Sequence, residues 1–219
     1  MKMKLVMALT ALVMVTGCAT SRSVVSVGAQ GSYNNANPAE GVAVKIETVD
    51  ARTFEMKPPT PDIPSLKDGA ITNQATTSRA IGRKRNGYGR ALGDILLPEG
   101  QTVAQVAGDA IEHGFRQSGY RVLKTGDAGY EQAISVSAKI KQYWAWVDIG
   151  FWALTLHSRA EVVLTSSLAG LESGLVVQSE AQKQSGAAFE TDWQDIATKG
   201  LTELTSEIAK KLPRQTVAH

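Results

Sequence analysis

One cysteine and three histidines in 219 residues, with aromatic side chains at only 6%, leave little material for several kinds of site. A single thiol cannot close an intramolecular disulfide, so stability has to come from packing. Zinc needs three or four converging ligands, and a hydrolase triad needs a base between a nucleophile and an acid. His113, His157 and His219 are far apart in the chain, and no HExxH, CxxC or GxSxG spacing occurs. No metal, cofactor or catalytic constellation is therefore expected, and a non-enzymatic role is. Also missing is an apolar run of the roughly 20 residues that a spanning helix requires.

The longest apolar run, Leu5 to Val15, follows Lys2 and Lys4 and is interrupted only by Thr10. A basic start before a short apolar core is the pattern of a secretory leader. Here the run leads through Val15, Thr16 and Gly17 into Cys18, the one cysteine of the chain. That junction resembles the bacterial lipobox, whose cysteine is acylated and becomes the mature N-terminus. Residues 1–17 are expected to be a lipoprotein signal peptide, with Cys18 as the lipidation site. Two or more acyl chains hold a protein firmly on a bilayer, each buried methylene contributing about 0.8 kcal/mol. Ala19, rather than aspartate, follows the cysteine. By the lipoprotein resemblance this implies the outer membrane, on its periplasmic face.

Two of the 23 Lys and Arg lie ahead of Cys18 and none of the 21 Asp and Glu does, so the mature chain is formally neutral. A nucleic-acid partner would call for a basic domain, and none is expected.

Residues 18–40 are rich in Ser, Gly, Asn and Ala and lack a sustained period, which predicts a flexible tether. Residues 41–212 read as a single α+β periplasmic domain, and residues 213–219 as a C-terminal tail. Alternation of Val42, Val44, Ile46 and Thr48 with polar residues predicts a half-buried strand. Pro58, Pro59, Pro61 and Pro64 make a loop of the next stretch, and a weak second strand is expected between Ile71 and Gly82. Thr102 with Gln105 forms a capping box ahead of Val103, Val106, Ala110, Ile111 and Phe115 at helical spacing, with Gly119 as the stop. Tyr120 to Leu123 reads as a short strand. Alternating runs through Ile134–Ile140, Leu154–Leu164 and Leu175–Gln184 read as an antiparallel meander. Thr191 with Gln194 predicts the cap of a closing helix through Ile196, Leu201, Leu204 and Ile208, ended by Pro213. The expected fold class is α+β, a mainly antiparallel sheet with two helices packed on one face.

Two stretches stand out as candidate contact surfaces. In IGRKRNGYGRALGD, Arg83, Lys84, Arg85 and Arg90 alternate with glycines, which suggests a basic hairpin able to meet phosphate or lipid headgroups. The spacing completes neither a P-loop nor a dinucleotide fingerprint. In QYWAWVDIGFWAL, Trp144 and Trp146 share one strand face and Tyr143 the other, with Phe151 and Trp152 beyond a turn. Both faces cannot belong to one core, so Trp144, Trp146, Phe151 and Trp152 are either cover for a core or candidate contacts for a partner protein, an acyl chain or the bilayer interface. Asp50 with Glu55, and Glu190 with Asp192 and Asp195, pair carboxylates without any pattern that calls for catalysis.

The lipobox, the first strand running into Val49-Asp50-Ala51-Arg52, the Ile81-Gly82 element and the alternating strands before a last helix together resemble the YajG family of bacterial lipoproteins. The resemblance implies an α+β periplasmic domain on a lipid anchor and supplies no catalytic residues. The expected role is that of a non-enzymatic binding component of the cell envelope with an envelope protein as partner. The alternative is a lipid- or glycan-binding auxiliary of an envelope transport system.

Overall fold

In a computed structural model of the protein, residues 21–28, 37–38, 40–150 and 152–214 are described. The elements run β1 (Ser23–Val24), β2 (Ala43–Asp50), a 3₁₀ segment (Lys67–Thr72), α1 (Gln74–Thr77), β3 (Ala80–Arg85) and β4 (Ala91–Leu96). They continue through α2 (Val103–Gln117), β5 (Arg121–Val122), β6 (Ile134–Ile149), β7 (Leu154–Ser166), β8 (Leu175–Ser185) and α3 (Glu190–Lys211).

All eight strands form one mixed sheet. Three pairings are antiparallel: β3 with β4, β6 with β7, and β7 with β8. Four are parallel: β1 with β4, β2 with β5, β2 with β6, and β3 with β6. The α+β content stands, but the expectation of a mainly antiparallel sheet is corrected to a mixed one. Hairpins announce themselves by turn residues, whereas a parallel partner arrives from far along the chain with no local signal.

Strand β6 is the spine. One edge pairs with β7 along its length, while the other is shared, residues 134–140 going to β2 and Ala145 to Gly82 of β3. A register shift between Ile140 and Gln142 marks the change of partner.

Helices α2 and α3 pack against each other and against one face of the sheet. Val106, Ile111 and Phe115 of α2 and Ile196, Leu201, Leu204 and Ile208 of α3 share one core with Val44, Val136, Ile140, Tyr143, Leu156 and Val162. Thr102 caps α2 as expected, its hydroxyl accepting the Gln105 N–H at 3.3 Å while the Gln105 side chain accepts the Thr102 N–H at 2.8 Å. Helix α3 begins earlier than expected: its N-cap is Phe189, and the Asp192 carboxylate accepts the Phe189 N–H at 3.0 Å, so Thr191 is already helical. Gly200 is on the buried face of α3, where a Cβ would collide with the Ser158 hydroxyl. Its absence lets the helix seat on β7, and Tyr143 donates its hydroxyl to the Ala197 carbonyl at 3.0 Å.

The opposite face carries a second, smaller core of Leu66, Ala80, Leu96, Trp144 and Trp146, with Phe54, Ala70 and Ile71 against it. The proline-rich segment is its roof; of the span Ile71 to Gly82 where a second strand is expected, only Ala80 to Gly82 is strand, the start of β3, and a 3₁₀ turn and α1 precede it.

The amino-terminal segment departs from the tether expected over residues 18–40. Ser23 and Val24 pair in parallel with Ile95 and Leu96, and Val25 and Val27 are buried in the main core. Within residues 21–28 the chain thus joins the sheet at Ser23 and Val24 and the main core at Val25 and Val27. The alternation that places Ser23, Val25 and Val27 inward is present in SRSVVSVG but is only one strand long, so composition outweighs it in the sequence. Cys18 and Phe151 lie outside the described residues, as do residues 1–17 and 215–219.

Candidate functional site

Strand β6 divides its rings between the two cores as alternation dictates. Tyr143 faces the helices, and burial pushes its phenol pKa well above the ordinary value. Trp144 and Trp146 face the other way but are not a projecting surface: both are buried, at 1% and 7% exposure. The Trp144 indole N–H donates to the Pro61 carbonyl at 3.1 Å, and Phe54 meets its ring edge-on at 6.0 Å. Trp146 stacks on His157 at 5.0 Å with the Arg159 guanidinium 5.2 Å from its centroid. Arg159 also pairs with Asp62 at 3.0 Å, fastening the proline-rich segment down. The hydrogen bond from Thr60 and the Arg159 pair hold the Asp62 carboxyl below its usual value. These two tryptophans are therefore corrected from candidate contacts to the second core. Trp152, 91% exposed beyond the end of β6, remains at the surface.

The basic stretch is a hairpin, but its four cations do not form one patch. Arg83 is buried on Asp94 at 3.7 Å and on the Ser65 hydroxyl at 3.2 Å. Arg85 shares that hydroxyl at 3.1 Å, and burial lowers the pKa of both guanidiniums while leaving them charged. Lys84, on the opposite strand face, donates to the Ser23 hydroxyl at 2.6 Å. Of the four only Arg90 is exposed, beside the turn where Tyr88 is 97% exposed. Arg83 is thereby corrected from a headgroup contact to a structural cation beneath the hairpin.

Asp50 and Arg52 close the end of β2. The guanidinium forks onto Asp50 with two bonds of 2.8 Å, and its remaining donors reach the carbonyls of Ala80 at 2.6 Å, Tyr143 at 3.1 Å and Thr77 at 2.9 Å. It fills the gap where β6 has lost β2 and has not yet gained β3.

A polar groove of about 710 Å³ runs between β2 and α2, lined by Thr48, Gln101, Gln105, Asp109, Glu112 and Lys124 among others. Glu112 pairs with Arg116 at 3.1 Å and with Lys124. Dehydration along the groove wall, and then Glu112, raise the Asp109 pKa although its side chain opens to solvent. His157 is committed to Asp148 at 3.1 Å and to the Trp146 stack. Among the described residues, no three His, Cys, Asp or Glu side chains converge as metal ligands, and no helix is long and apolar enough to cross a membrane.

Topology gathers one further set of residues. The β3–β4 turn and the β6–β7 turn are at the same end of the sheet, because β3 and β6 run parallel. A Cβ on Gly87 would be 3.9 Å from the Ile149 side chain. Strand β8 ends there too, Ser185 facing Leu154, and leads to Phe189. Among the described residues, the exposed large hydrophobics that are aromatic, Tyr88, Trp152 and Phe189, all stand at this end.

No protein-family model and no curated protein matches the chain. Among solved structures, protein XCC0632 from Xanthomonas campestris, of family DUF330, is similar at a TM-score of 0.45 and 11% identity, over 85% of this chain and 90% of that one. An uncharacterized protein gives 0.40 at 6% identity, over 88% and 97%. A dodecameric PelC variant from Paraburkholderia phytofirmans gives 0.21 at 11%, over 85% and 93%. These overlaps are too loose to transfer any feature.

Tyr88 and Phe189 were not singled out in the sequence. Each is a lone aromatic outside the strands; the parallel pairing of β3 with β6 brings Tyr88 to the end that carries Trp152, and the β7–β8 pairing brings Phe189.

Proposed function

We propose that the chain is an outer-membrane lipoprotein of the periplasmic face, held by acyl chains on Cys18, whose domain is a non-enzymatic binding component of the envelope. The observation that carries this reading is the order Lys2, Lys4, an apolar run and Val15-Thr16-Gly17-Cys18 at the start of the chain. The resemblance to the YajG family belongs to the same reading and is supported by the same residues together with Asp50-x-Arg52. An envelope protein is the proposed partner. The alternative lipid-binding role draws support from the exposed aromatic end of the sheet, where Arg90 and Tyr88 are exposed together.

Metabolic labelling with palmitate tests the anchor. Label on the wild-type product and none on Cys18→Ala is the expected result. An unlabelled wild-type protein that still sediments with membranes would overturn it. Crosslinking in intact cells followed by affinity purification then identifies what the domain touches.

A further inference from the structure

The lipoprotein reading places an acylated residue three positions before Ser21, and three residues of chain span at most about 11 Å. Where Ser21 enters the sheet therefore decides which part of the domain faces the bilayer. Strand β1 runs parallel to β4, so going back from Ser23 the chain moves toward the β3–β4 turn. Lys84 donates to the Ser21 carbonyl at 3.4 Å, and a Cβ on Gly93 would collide with that carbonyl. Such contacts fix the entry point beside the hairpin rather than leaving it on a long leash.

That is the same end that carries Tyr88, Trp152 and Phe189, with Ile149 half exposed between the turns. Tyrosine and tryptophan are the side chains that favour the boundary between headgroups and acyl chains, one end of the ring system wet and the other apolar. Of the four cations between Arg83 and Asp94, Arg83, Lys84 and Arg85 are held by partners within the domain. Arg22 and Arg83 are bound to Asp94, and Arg90 is exposed at the turn. Long basic side chains near an anionic surface add attraction and can reach phosphates while their stems cover apolar area. Two independent placements coincide, the chain entry and the exposed rings, and Arg90 is exposed beside them.

We propose that this end of the sheet docks on an anionic phospholipid surface, Tyr88 and Trp152 seated in the headgroup boundary and Arg90 facing phosphates. The inference rests on the lipoprotein reading and adds to it an orientation: the domain stands with its strands pointing into the membrane plane, and the groove between β2 and α2 remains open to the periplasm.

The test uses full-length acylated protein reconstituted in vesicles of phosphatidylethanolamine and phosphatidylglycerol in which a fraction of the lipid carries brominated chains. Trp144, Trp146 and Trp193 are buried, so quenching by bromine reports on Trp152. A quenched fraction that is lost in Trp152→Ala, and reduced in Arg90→Gln, is the expected result. Quenching that is absent, or equal in wild type and Trp152→Ala, overturns the docking. So does a concentration-dependent change at Trp152 in detergent without lipid, which would assign the surface to a second copy of the chain. The acyl chains are read separately on the same sample by mass: a lipidated protein without quenching removes the docking and leaves the anchor. A protein without lipid removes both.

Discussion

Replacing Arg52 should cost this fold more than almost any other single charged side chain. Its five N–H groups are all engaged, two on Asp50 and three on the carbonyls of Ala80, Tyr143 and Thr77, and its own side chain is fully buried. Arg52→Ala leaves three backbone carbonyls without that donor, at about 1 kcal/mol or more each. Asp50, 20% exposed, recovers part of its hydration. A loss of about 3–5 kcal/mol follows, in line with breaking one half of a buried ion pair. For a domain of this size 1 kcal/mol moves the melting temperature by roughly 2–4 °C, so the expected fall is about 10 °C or more. Arg52→Lys keeps the charge but supplies three donors from one point, unable to fork onto Asp50 while reaching β3 and β6, and should recover about half of the loss. Thermal unfolding followed by circular dichroism on purified protein reads the effect, and amide exchange at Ala80 to Gly82 reads it locally. Melting within about 1 °C of wild type for Arg52→Ala, with β3 still protected, would refute the reasoning.

Gly93→Val should expel the amino-terminal strand, since the Ser21 carbonyl occupies the space a side chain would take. Limited proteolysis should then cut within residues 21–28 in the variant and not in the wild type, and identical digests would contradict the docked strand. Trp144→Ala should lose about 3–5 kcal/mol and loosen the segment from Phe54 to Leu66, because the ring fills the second core and its N–H holds Pro61. A small change in unfolding midpoint would return Trp144 to the surface. Asp192→Ala should cost about 1–2 kcal/mol at neutral pH by uncapping α3. Burial works against the Asp192 carboxylate, but Lys183 and the Phe189 N–H outweigh it and its pKa is lowered from 3.8. Its stabilisation is therefore full above that value and lost as pH falls through the lower folded one. The gap between variant and wild type in pH-dependent melting should close in that acid range, and a gap that widens there would contradict the assignment.

Local patterns carried much of the fold. The capping box at Thr102, the strand alternation through β6, β7 and β8, and the glycine stop after α2 are interactions within a few residues, so they are legible in the chain. The parallel partners of β2 and β3 are not, because a pairing between residue 44 and residue 134 leaves no mark on either. The opposed placement of Tyr143 and Trp144 was readable as a conflict between two faces; its resolution by a proline-rich roof needed tertiary contacts. At the candidate site, composition misdirected twice. Arg83 is in a glycine-rich basic run yet sits beneath it on Asp94, and the polar segment after Cys18 conceals three buried residues, Ser23, Val25 and Val27.

The mass of the amino-terminal peptide, from protein extracted out of membranes, tests most directly whether acyl chains on one sulfur hold the molecule at the envelope. A peptide that begins at Cys18 and carries a diacylglyceryl group with a further acyl chain is predicted. An unmodified Cys18 within a longer chain, or a mature terminus beyond it, would contradict the anchor and with it the orientation of the domain.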